Sequence, residues 1–123
     1  MDKTLRILSV LAALPLAVIA LRWVFDPSGA AEGLQMTLLE GPARNSQIGD
    51  TTSFFVGMAG FALYGIWKQN SDFIYAGTVL IAGVAVFRVL AGLAHDAPII
   101  WLFVGIEVVT AAIWIAYART LKA

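Results

Sequence analysis

Two residues of this chain have the types and spacing to do chemistry in an unusual place: Arg88 and Glu107. Each sits inside a stretch apolar and long enough to cross a bilayer. An ionised side chain at that depth costs on the order of 2.5–3.5 kcal/mol on insertion scales, so a partner residue, water or a ligand must offset it. The two stretches meet at a turn around Asp96. Counting back from that turn, Arg88 falls opposite about Val104, and Glu107 lies about 4.5 Å deeper at a rise of about 1.5 Å per residue. A flexible arginine spans that gap. Gly105 beside the glutamate and Gly92 one turn from the arginine offer close helix approach.

Two chemistries follow. One is a buried ion pair that fixes how the two helices register, adding little net stability. The other is a polar pocket open to the outer leaflet or outer water. Arg22, Asp50 and Asp96 fall on that same side and are the further candidates for it. Such a pocket suits an anionic head group, a quinone-like carbonyl or a proton path. Asp50, followed by Thr51, Thr52 and Ser53, also has the character of a helix N-cap. Its other role is as counter-charge to Arg22 or Arg88. His95 beside Asp96 is either a proton-transfer pair or a polar turn.

Enzyme chemistry finds little support. The chain has one histidine and no cysteine. Thiolate sites, disulfides, iron–sulfur clusters and multi-histidine metal or haem sites are thereby excluded within one chain. No cofactor is expected. Gly57, Gly60, Gly65, Gly77 and Gly83 lie inside apolar helices rather than after strands, and match neither dinucleotide nor phosphate-loop patterns. Close helix packing is their expected role. There is no serine–histidine–acid pattern and no carboxylate cluster with metal-ligand spacing.

The elements that must position these residues follow from composition. The chain has 123 residues, 60% of them hydrophobic and 13% charged. Soluble domains are nearer 45–50% apolar and about 25% charged. A soluble chain this short cannot hide so much apolar surface. The lipid bilayer is the expected solvent. Zero net charge gives no nucleic-acid footprint.

Four spans are expected, from about Leu5 to Phe25, Thr52 to Trp67, Phe73 to Ala94 and Ala97 to Ala118. The second is short for a spanning helix of roughly 20 residues and borrows polar residues at both ends. The first is too long for a cleaved signal sequence, lacks a cleavage site and closes on Arg22-Trp23. Pro15 within it predicts a mild kink. Lys3, Arg6, Lys68, Arg119 and Lys122 fall on one side, against Arg22 and Arg44 on the other. The positive-inside rule then puts both termini in the cytoplasm. Trp67, Tyr75, Trp114 and Tyr117 are expected at the inner boundary, and Trp23 and Trp101 at the outer one.

Short turns join spans two to four, with Asn70 or Ser71 capping the third, Asp72 in its first turn, and Asp96 and Pro98 opening the fourth. They force antiparallel neighbours, an up-down-up-down bundle in one domain. In the long first loop, Asp26-Pro27-Ser28-Gly29 is a turn or helix start. Ala30 to Leu39 is expected to form a short interfacial helix ended by Gly41-Pro42. No internal repeat is visible, which argues against a single-chain transporter of inverted repeats.

Asp26-Pro27 closing the first helix, Asp50 leading into a glycine-rich second, Phe87-Arg88 in the third and Glu107 in the fourth carry a resemblance. The chain is similar to the small bacterial four-helix membrane proteins of domain-of-unknown-function family 4345. It departs at Gln47-Ile48-Gly49, where that family often has an arginine or small polar residue before the acid. The resemblance implies a four-helix fold, these polar positions and a bacterial inner membrane. It implies no activity. The expected function is that of an accessory or structural membrane subunit, contacting itself as a homo-oligomer or joining a larger membrane complex. The alternative is a binding protein or small carrier for a lipophilic or anionic ligand.

Overall fold

The computed structural model describes residues 2–121. It is all-helical across them: α1 (Lys3–Phe25), α2 (Pro27–Gly33), α3 (Gly41–Lys68), α4 (Ser71–Ala94) and α5 (Trp101–Thr120). Lys122, one of the basic residues used to orient the chain, lies outside the described residues.

Three helices, α1, α4 and α5, are long and apolar enough to cross a membrane by length and composition. They point to a membrane location. The fourth expected span, within α3, does not reach that standard. Its polar entry through Thr51, Thr52 and Ser53 and its glycines and Tyr64 dilute the apolar run.

Packing links the long helices into a ring, α1 on α3, α3 on α4, α4 on α5 and α5 back on α1. The start of α1 meets the end of α3, where Arg6 Nη2 donates to the Ile66 carbonyl at 3.4 Å. The end of α5 meets the early part of α1, where the indole N–H of Trp114 donates to the Ser9 carbonyl at 3.1 Å. The core is built from small residues and a few large ones, with Trp23, Met58, Ile74, Ile81, Trp114 and Tyr117 fully buried.

The expected aromatic belt is therefore only partly present. Trp23, Trp114 and Tyr117 are interior, because the gaps between these helices are lined by alanine and need large rings to fill them. Trp67 and Trp101 stay exposed, as does Tyr75. Trp67 ends an aromatic cluster with Tyr64, Phe73 and Phe61 at the α3–α4 turn, and the Lys68 ammonium lies 4.3 Å from its ring.

The α3–α4 turn forms as its residues dictate. Gln69 adopts a left-handed conformation that closes α3, and the Asn70 side chain accepts the Asp72 N–H at 2.9 Å. Glycine is required here for close approach. A Cβ at Gly65 would stand 2.7 Å from the Ile74 backbone nitrogen.

Several local expectations are corrected. The short helix of the first loop spans Pro27–Gly33 rather than Ala30 to Leu39. Pro27 occupies its first turn and the Asp26 carboxylate accepts the Gly29 N–H, so it starts early; Gly33 and left-handed Gln35 end it. Gly41-Pro42 does not end a helix but opens α3, with proline in the first turn. Asp50 therefore lies inside α3 and is not its N-cap. The fifth helix starts at Trp101, not near Ala97, and its N-cap is Ile100. Pro98 drives Ala97 out of helical geometry, and Asp96 sits left-handed at φ 56° rather than capping.

The segment between α2 and α3 is held in place. Gln47 of α3 accepts the Leu39 N–H at 2.9 Å and donates to the Thr37 carbonyl at 3.2 Å. Arg44 donates from Nε to the Leu39 carbonyl at 2.7 Å. α1 continues through Pro15, whose ring stands on an exposed face.

Candidate functional site

Arg88 and Glu107 are brought together. Each is six residues from the end of its helix that faces the α4–α5 turn, about 9 Å along the axis. Arg88 Nε donates to both carboxylate oxygens of Glu107, at 3.0 and 2.9 Å. The side chains are 24% and 12% exposed, so the pair is mostly withdrawn from the surface. Hydrogen bonds between two ionised groups are the strong kind, and here both carboxylate oxygens share one N–H donor.

Phe103 completes the setting. Its ring centroid lies 5.1 Å from Arg88 Cζ, a cation–π distance. Phe103 was not singled out from the sequence. The signal was present, because it precedes Glu107 by four residues and so shares its helix face.

The glycines expected to admit the pair do something else. A Cβ at Gly105 would meet nothing within 4 Å. Gly92 makes room for Ile99 of the α4–α5 turn rather than for the arginine. Neither glycine stands at the contact between Arg88 and Glu107.

The remaining candidates do not converge on it. Arg22 ends α1, half-exposed, with Nη2 3.7 Å from Asp26 Oδ2 one turn on. A Cβ at Gly29 would displace the exposed ends of Asp26 and Arg22, standing 2.6 Å from Arg22 Nη2. Asp50 is exposed on α3, and Asp96 and His95 are exposed in the α4–α5 turn. Among the described residues the ion pairs are Arg22–Asp26 and Arg88–Glu107, so Asp50 is counter-charge to neither arginine.

Two recesses lie on the same end of the molecule. One, about 110 Å³, is lined by Ile19, Arg22, Ala30, Gly33 and Leu34. The other, about 260 Å³ and shallow, lies at the turn and is lined by Gly92, Asp96, Pro98, Ile99 and Trp101 among others. Neither includes Arg88 or Glu107. Among the described residues no three His, Cys, Asp or Glu side chains gather as a metal ion would need.

Comparisons with protein-family models, with curated proteins and with solved structures find no match to this chain. The site is therefore read from its own geometry.

Proposed function

We propose that this chain is a four-span, up-down-up-down membrane protein that serves as an accessory or structural subunit through lateral helix contacts. The α1, α4 and α5 segments and the apolar part of α3 are its spans, with both termini cytoplasmic in a bacterial inner membrane. The basic residues Lys3, Arg6, Lys68 and Arg119 support that orientation, set against Arg22 and Arg44 at the other end. The resemblance to family 4345 agrees with the reading and adds no activity to it.

One observation carries the lateral role. At Gly60, Gly83 and Gly105 nothing lies within 4 Å of where a Cβ would stand, so three helices keep notches that their own fold does not fill. Notches of this kind let a second helix approach closely in lipid. The Arg88–Glu107 pair is then a clasp setting the α4–α5 register.

Native electrophoresis of gently solubilised membranes tests the role. Gly83→Leu is expected to remove a higher-mass species that the unaltered chain forms. Glu107→Gln, which keeps an acceptor for Arg88, is expected to retain it. A chain that runs as a lone monomer before any substitution refutes the proposal.

The second reading is a binding protein or small carrier. Its specific support is that Arg88, although paired, spends only one of its nitrogens.

A further inference from the structure

The outer half of the α4–α5 hairpin is unlike the rest of the molecule. No residue of α4 beyond Ala85 is buried, and none of α5 before Thr110. The guanidinium of Arg88 lies in that uncovered stretch, held on two sides. Glu107 takes its Nε, and the Phe103 ring lies 5.1 Å from its Cζ. The two Nη groups, with four N–H donors, make no hydrogen bond among the described residues. Neither is one of the buried side-chain atoms that lack a partner, so both open outward from the chain. Donors facing hydrocarbon without an acceptor are costly, and the acceptor must come from outside the protein.

Depth and charge select its chemistry. Phe103 stands in the first turn of α5 beside exposed Trp101 and Leu102, and Glu107 lies about 6 Å deeper. The guanidinium between them falls just beneath the level of an interfacial tryptophan, where acyl chains join their head groups. Glu107 already neutralises Arg88. An anionic phosphate would add unbalanced negative charge beside a carboxylate in a low dielectric. A neutral carbonyl oxygen adds none.

We propose that the Nη face of Arg88, presented by Glu107 and Phe103, binds a neutral carbonyl oxygen of a lipid lodged against the outer half of the α4–α5 hairpin. The source is either a glycerolipid ester or a quinone-type ring carbonyl. The inference rests on the membrane placement proposed above.

Nanodiscs of three compositions separate the outcomes: ester-linked phosphatidylcholine, its ether-linked counterpart, and the ether-linked lipid with a hydrophobic quinone added. Unfolding midpoints and the ¹⁵N signals of Arg88 Nη–H are read in each. The midpoint is expected to be roughly 2–5 °C higher in ester-linked than in ether-linked discs, the scale of one or two hydrogen bonds. The Arg88 signals are expected to shift with it, and the lipid dependence to vanish in R88Q/E107Q. Recovery by quinone alone supports the site and assigns the quinone source. Identical midpoints and identical Arg88 signals in all three discs overturn the proposal. Stabilisation that instead requires an anionic head group overturns the carbonyl assignment. Should R88Q/E107Q fail to fold, the signals of the unaltered protein decide alone. A chain that stays dispersed without lipid or detergent and enters no disc refutes the membrane placement, and this inference with it.

Discussion

Arg88 gives its Nε to Glu107 and makes no other hydrogen bond among the described residues, so the two residues stand or fall together. Removing one leaves a charge in a poorly solvated place, whereas removing both leaves none. Breaking a buried pair costs about 3–5 kcal/mol. The partial exposure of both groups scales that down, to about 1–3 kcal/mol for Arg88→Ala or Glu107→Ala alone. The double variant is expected to lose less than the sum of the singles. Reversible unfolding in detergent, run as a double-mutant cycle, checks this; strict additivity would mean the pair carries no coupling. The pair was legible from the sequence because its two members are far too polar for their neighbours. Phe103 was not, since a phenylalanine in an apolar span carries no contrast.

Among the elements, the glycines divide into two kinds that composition cannot distinguish. Gly65 and Gly77 lie under the α3–α4 crossing, where an added Cβ would stand 2.7 Å from Ile74 and 3.1 Å from the Met58 carbonyl. Gly60 faces open space. Gly65→Ala is expected to destabilise by about 1–3 kcal/mol, as overpacking against backbone does. Gly60→Ala is expected to be neutral or to stabilise by up to about 1 kcal/mol through helix propensity. Thermal unfolding of the two variants side by side measures the contrast, and equal effects would contradict the packing described for Gly65. The helix ends show a similar division. The cap of α4 was legible as Asn70 or Ser71, and Asn70 fills it. Asp50 and Asp96 had the right residue type at the wrong place. Pro42 extends α3 backwards past Asp50, and Pro98 delays α5 past Asp96.

For the whole molecule, the proposed four-span topology predicts which side of the bilayer each loop and turn reaches. The absence of cysteine makes single-cysteine reporters unambiguous. Ser28→Cys and Ser46→Cys, both at exposed positions, are expected to react with an impermeant thiol reagent in intact cells. Asp72→Cys and Thr120→Cys are expected to react only after permeabilisation. The Ser46 and Asp72 reporters flank the apolar part of α3 and the short turn after it. Equal reaction of the two in intact cells would leave α3 uncrossed and reduce the spans to three. Inverted accessibility at all four positions would reverse the orientation.

Apolar length, scarce charge and short turns are properties of the chain itself. They were enough to determine an all-helical molecule with membrane-length segments and a close opposition of Arg88 and Glu107, since a turn of few residues leaves adjacent helices no choice of neighbour. Longer-range relations were decided only by the fold. Trp23 and Trp114 left the boundary for the interior because alanine-lined gaps between helices distant in sequence had to be filled. Gln47 and Arg44 tied down a loop that has no periodicity of its own, through hydrogen bonds that depend on α3 beginning at Gly41. Sequence spacing reports what a residue is made of and how far it is from a turn. Which surface it meets depends on how the helices rotate against one another, and that is set by the summed packing of all of them.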